Sequence, residues 1–308
     1  TTGVQNTFVG GLAGDALTDA DFNVAIGYRA LSADTLGSRS VAIGYSALFN
    51  QNFTTATDAY NVAVGMEAGN SVTTGTRNTI IGGLAGDALT TGSFNTAFGY
   101  AALSTEDTAN NNTALGYATL TTLNGGTQNV AVGQSAAAAM TTGNQNTIIG
   151  TNAGDALTDA DQNVAIGYLA LTADTLGSTS TAIGYNTLAD QNFTTATSTY
   201  NTAVGYNAGG AVGHGAGQVI STGVGNTIVG GLAGDALTEG QYNSVLGRSA
   251  LSAATTGSFN VALGSFSLLS NTTGADNVSV GYDSLANNTT ASYNTAVGRN
   301  ALKTNILG

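Results

Sequence analysis

The chain has 308 residues, a formal net charge of −12, only six Lys and Arg, and no Pro, Cys or Trp. Scattered basic residues offer nothing to a phosphate backbone or an anionic membrane surface, so neither nucleic acid nor membrane is an expected partner. Without Cys there is no disulfide, thiol nucleophile or thiolate metal site, and no apolar run reaches the length of a membrane span.

From Asn6 onward one short unit recurs along the whole chain. Asn23-Val24-Ala25-Ile26-Gly27-Tyr28 is followed 17 residues later by Ser40-Val41-Ala42-Ile43-Gly44-Tyr45. Seventeen copies can be counted, the last at Asn294. Numbering each unit from its Asn, the first position is Asn in fifteen copies and Ser in two (Ser40 and Ser180), and the fifth is always Gly. The second is Thr, Val or Ser, the fourth a large apolar residue, and the eighth a small one. A fixed period near 20 residues means stacked units rather than a globule. Seventeen residues are too few for two helices and a turn, and the period of two near the start of the unit is that of a strand. The expected fold is an all-β parallel β-solenoid of 17 coils, a single repeat domain over residues 1–308, stacked to roughly 80 Å at the strand spacing.

Each column carries an expectation. The second and fourth side chains share one strand face, and the fourth, as the large one, is expected to fill the interior. Stacked Asn side chains are expected to bond along the axis. The invariant Gly implies a conformation or an approach that a Cβ forbids. The small eighth residue implies tight packing, inside the coil or against another chain.

A longer period marks every fourth coil. Gly10–Leu17 returns as 82–89, 150–157 and 230–237, which gives four blocks (6–77, 78–145, 146–225, 226–293) and a last coil, 294–308. These leading coils have a large third residue (Phe8, Ile80, Ile148, Ile228) and lack the sixth-position Tyr. The third and sixth side chains are therefore expected to compete for one space.

Three stretches break the spacing: 50–57, its twin 190–197, and 209–225. Insertions in solenoids become loops on one face. Phe53, Phe193 and His214 in these stretches, with Tyr60 and Tyr200 beside them, are the candidate surface contacts. All twelve Tyr fall in two columns, after the Gly (Tyr28 and Tyr45 among them) or before the Asn. Such ladders either stack sugars or pack at a subunit seam, and the seam is favoured.

Little else carries chemistry. His214 is the only histidine, in a Gly-rich stretch with no partners beside it, so no Ser-His-Asp arrangement assembles. Asp15, Asp19 and Asp21 could supply calcium oxygens, but a solvated turn is the preferred reading and no cofactor is expected. The glycines at 209 and 210 lack the Lys of a phosphate cradle. No enzyme is expected.

The unit Ser40-Val41-Ala42-Ile43-Gly44, with its variants, resembles the head repeats of YadA-like trimeric autotransporter adhesins, and more loosely the shaft repeats of phage and bacterial tail fibres. The resemblance covers all seventeen coils, although coils here are longer than is usual in those heads. It implies a left-handed β-roll, three chains side by side, and an adhesive or receptor-binding role at a cell surface or on a virion. Host surfaces, glycans or matrix receptors would be its partners. A slim rod buries little apolar area alone, which is a physical reason for a homotrimer. The chain then reads as part of a longer fibre protein. The alternatives are an ice-binding solenoid, whose broken and buried Thr column argues against it, and a glycan-binding or glycan-cleaving fibre.

Overall fold

The computed structural model describes residues 2–105, 108–210 and 222–306. The chain divides into two units, 1–146 and 147–308. Each is a parallel β-solenoid, and no helix among the described residues is long and apolar enough to cross a membrane.

Among the described residues of the first unit, eight three-residue strands run from Thr7–Val9 to Val130–Val132. In the second, nine run from Thr147–Ile149 to Thr295–Val297. Strand pairs on strand in parallel, with identical positions of the repeat facing one another: Val24 with Val41, Ala25 with Ala42, Ile26 with Ile43. The insertions keep this register, since Val41 pairs with Val62 and Thr181 with Thr202.

The invariant glycine sets where each strand stops. Gly27, Gly44 and Gly99 hold φ of 132, 136 and 135°, a region open essentially to Gly alone. A Cβ on Gly99 would lie 2.3 Å from the carbonyl oxygen of Gly116 in the next coil, and one on Gly44 2.3 Å from that of Gly65. Conformation and close approach both forbid a side chain, as the sequence implies. A left-handed residue bounds the other end of each strand. Phe22, Arg39, Tyr60 and Arg77, each just before the first position, have φ of 60, 65, 52 and 58°.

Between these two fixed points only three residues are extended, and their side chains alternate. The third position points inward: Ala25, Ala42, Ala63, Ile80 and Ala97 are fully buried. The second and fourth point outward, and Val9, Phe98 and Leu246 at the fourth are about half exposed. This reverses the expectation that the fourth residue fills the interior. It also places the Thr/Val column on the surface, with Thr7 and Thr79 exposed, where the sequence reading had it buried. The cause is geometric. A strand with one inward residue takes the side chain that fits a narrow coil, and that is Ala.

The rest of the interior comes from the turns. After the glycine the chain closes a tight turn, with the Ala30 N–H donating to the Gly27 carbonyl oxygen at 3.4 Å and Arg29 left-handed at φ 59°. Left-handed seventh and ninth residues swing the eighth and ninth inside, so Ala30, Leu31, Ala47 and Leu48 are fully buried. The small eighth column therefore packs within the coil. The twelfth position completes the core with Leu89, Leu123, Met140 and Leu157.

The size exchange in the block-leading coils is between the third and ninth positions. Ile80, Ile148 and Ile228 each share a coil with a ninth-position Gly, and a Cβ on Gly86, Gly154 or Gly234 would lie 3.2–3.3 Å from their Cδ1 atoms. The third and sixth side chains do not compete, because the third is buried while Tyr28 and Tyr100 at the sixth are half exposed.

Stacked asparagines tie the coils together as expected. The Asn95 backbone N–H donates to Asn78 Oδ1 at 2.9 Å, and Asn112 N–H to Asn95 Oδ1 at 2.9 Å. In most of these coils Nδ2 donates to a carbonyl fourteen residues on, as from Asn95 to Ala109 at 2.8 Å, and in several it also reaches the preceding Asn, as from Asn243 to Asn226 Oδ1 at 3.0 Å. Buried amides with both ends satisfied are the arrangement that low polarity demands.

Gly99→Ala should lower stability by at least about 2 kcal/mol, from strain at φ 135° and the clash with Gly116. Gly83→Ala, whose new Cβ would meet only the Tyr100 ring at 3.6 Å, should stay within about 0.5 kcal/mol of wild type. Chemical unfolding of both variants tests the contrast.

Candidate functional site

The first two insertions do not form free loops. Thr57–Asp58 pairs in parallel with Gly37–Ser38, and Thr197–Ser198 with Gly177–Ser178, so each of these two adds a short second ladder to its unit. Phe53 and Phe193 are buried at 5% exposure, which removes both from the candidate surface contacts. A buried carboxylate draws them in. Asp34 Oδ1 accepts the N–H groups of Gly37 (3.0 Å) and Phe53 (3.1 Å), and Asp174 Oδ1 those of Gly177 (3.0 Å) and Phe193 (3.0 Å). Gly37 makes room: a Cβ there would sit 2.7 Å from the Phe53 ring.

The same carboxylates anchor a side-chain relay where the Asn column is interrupted. Gln51 Nε2 donates to Asp34 Oδ2 at 2.6 Å and to Ser40 Oγ at 3.0 Å, and its Oε1 accepts from Asn61 Nδ2 at 2.8 Å. In the second unit Gln191 does the same between Asp174, Ser180 and Asn201. Ser is too short to reach the next coil, and the glutamine eleven residues later takes over that link. Burial pushes the Asp174 carboxyl above its ordinary value, against the opposing pull of its hydrogen bonds from Gln191, Phe193 and Gly177. Burial also raises Asp87 and Asp235, and one carboxylate oxygen of each is buried without a partner.

The surface candidates that remain are Tyr60 and Tyr200, 47% and 68% exposed. His214 and most of the third insertion lie outside the described residues. Tyr60 belongs to an ordered row on the first unit. The Arg39 guanidinium lies 4.8 Å from the Phe22 ring centre and 5.7 Å from that of Tyr60, and the Arg77 guanidinium lies 6.0 Å from Tyr60 and 5.4 Å from Phe94. Five successive coils thus stack ring, cation, ring, cation, ring. Arg39 Nε donates to Asp58 at 2.9 Å. The aromatic members were visible as a column in the sequence; the arginines sharing that column are the signal it had passed over. On the second unit Tyr242 stacks on Phe259 at 5.3 Å in the same column.

Sixth-position rings stack as well: Tyr28 on Tyr45 at 5.8 Å, and Tyr168, Tyr185 and Tyr206 in succession at 5.5 and 5.2 Å. All are about half exposed. Asp15, Asp19 and Asp21 do not converge. Asp21 Oδ1 accepts the Val4 N–H at 2.7 Å, Asp19 accepts from Thr2, and no group of three or more His, Cys, Asp or Glu among the described residues is placed to hold a metal ion.

No family model matches the chain, and a search of curated proteins finds no match either. The likeness to adhesin-head and tail-fibre repeats rests on the repeat residues themselves.

Phe53→Ala should cost about 3 kcal/mol or more, as for a core phenylalanine, whereas Tyr60→Ala should cost less than about 1 kcal/mol; denaturant unfolding separates the two. The raised Asp174 carboxyl gives a pH test. Its folded-state pKa lies above the unfolded value, so its contribution is fully present below the unfolded pKa and is lost as pH rises through the folded one. The stability of wild type relative to Asp174→Asn should therefore increase on acidification, and a difference flat with pH would contradict this.

Proposed function

We propose that the chain is a segment of an adhesive or receptor-binding fibre, in which three copies of a left-handed roll lie side by side. The fibre acts as spacer and surface-contact element outside the cell or on a virion, with no chemistry of its own. The observation that carries this reading is the outward face of the strands. Val, Thr or, once, Ser at the second position and Ile, Val, Leu or Phe at the fourth repeat in every coil of each unit, at the surface of the single chain. Contiguous apolar surface of this extent marks an interface.

A second copy of the same chain suits it best, because the face repeats at one interval and an identical face matches that interval throughout. The seam then runs along the second and fourth columns, with the sixth-position tyrosines at its margin. The eighth column cannot contribute, being enclosed within the coil. Burial of such a face stabilises by about 25 cal/mol per Å², which a coil core built largely of Ala needs. The turn edges stay outside the seam and are available to a host surface, glycan or matrix receptor.

Light scattering on residues 1–308 should give a mass near three times 30.3 kDa. The double variant Ile26→Asp, Ile43→Asp, changing two half-buried outward residues, should dissociate the assembly while keeping the strand signature in circular dichroism. A monomeric wild type would sink the side-by-side assembly.

A further inference from the structure

The row of alternating rings and guanidiniums on the first unit stands exposed at its surface. Further along the same column Asn111, Gln128 and Gln145 adopt φ of 61, 61 and 59°, the same left-handed conformation as Phe22 (60°) and Arg39 (65°). Small polar residues enter this region more readily than bulky ones. Aromatic and arginine side chains here occupy positions that amide side chains fill further along the same column. Rings and guanidiniums held together at the surface are placed to meet a ligand outside the chain.

We infer that this row binds an acidic polysaccharide bearing a carboxylate on every second sugar. Each guanidinium is held between two rings, which restrains its rotamers before any ligand arrives. Arg39 is further oriented by Asp58. Ring faces are turned to the cations, so what the rings present outward is their electropositive edges. Guanidinium forks and ring edges side by side select an anion, and a planar carboxylate meets the fork with two hydrogen bonds.

Spacing narrows the class. Arg39 and Arg77 lie two coils apart, about 9.5 Å at the strand spacing. Phosphates of a nucleic-acid strand recur far more closely, at about 3.4 Å of rise along each strand of a duplex. A glycan with one uronate in each disaccharide places its charges two rings apart, which is the interval of the two arginines. Asp58 beside Arg39 would accept sugar hydroxyls and repel a more densely charged chain. This inference rests on the surface-contact part of the proposed function and is independent of assembly in threes.

The test is binding of residues 1–308 to a polymer of alternating glucuronate and N-acetylglucosamine, by calorimetry at low salt, with a neutral glucan and single-stranded DNA as comparators. The variant is Arg39→Gln, Arg77→Gln, since Gln already fills this column at Gln128 and Gln145. Wild type should bind the polyuronate and not the glucan, and the double variant should bind at least about tenfold more weakly, as loss of charge-assisted pairs requires, with an unchanged melting temperature. No binding by wild type, equal binding by the variant, or equally tight binding of the DNA would overturn the assignment. Light scattering in the same buffer reports assembly separately, so failure of the trimer and failure of the glycan site are told apart.

Discussion

Everything in each unit follows from how closely one coil approaches the next at the glycine column. An ideal Cβ on most of these glycines would lie within 2.8 Å of the next glycine's carbonyl carbon or oxygen, so the backbones are as near as hydrogen-bonded strands permit. The glycine conformation ends the strand on one side, and a left-handed residue ends it on the other. Three extended residues remain, and three residues can send only one side chain inward. The narrow Ala-lined core, the apolar outer face and the reliance on turn residues for the rest of the packing are all consequences of that count.

A core so thin has to satisfy its polar groups with care. The Asn column does this by giving amide oxygens to the following coil and sharing amide N–H groups between carbonyls of the same coil and the amide oxygen of the coil before. Leaving such a buried group unpaired costs about 1–3 kcal/mol. Where Ser40 and Ser180 break the column, the defect is repaired from another position, by Gln51 and Gln191 set against Asp34 and Asp174. The same carboxylates collect the backbone of the insertions. One buried carboxyl group in each unit therefore closes the gap in the ladder and folds the extra residues onto the coil.

The stacking, the register, the asparagine ladder and the reason for the glycine were legible in the repeat, because each depends on identical residues meeting identical residues. The direction each side chain faces was not. Size pointed to Ile26 and Ile43 as interior, but the interior is set by turn angles that leave room for Ala25 and Ala42. Phe53 was misplaced for a different reason. Its partner, Asp34, is nineteen residues away in sequence and meets it only after the coil has closed. A trace existed in the coincidence of Ser40 with Gln51, repeated at Ser180 with Gln191. For the candidate surface, Tyr60 was read as one of a set of aromatics; its meaning came with Arg39 and Arg77 on either side.

The exchange between third and ninth positions also bears on how such a chain can change over generations. Ile80 is flanked not only by Gly86 of its own coil but by Gly69 of the coil before, where a Cβ would come within 3.0 Å of its Cδ1. Ile228 stands in the same way between Gly209 and Gly234. A recombination that parted Gly69 from Ile80 would leave a void on one side of the joint or an overfilled core on the other. Single coils at these two places are thus poor units for shuffling, despite their similarity. For Ile80 and Ile228 the smallest segment that can be copied without harm carries the isoleucine together with both glycines, so gain and loss of length there should proceed in multi-coil modules.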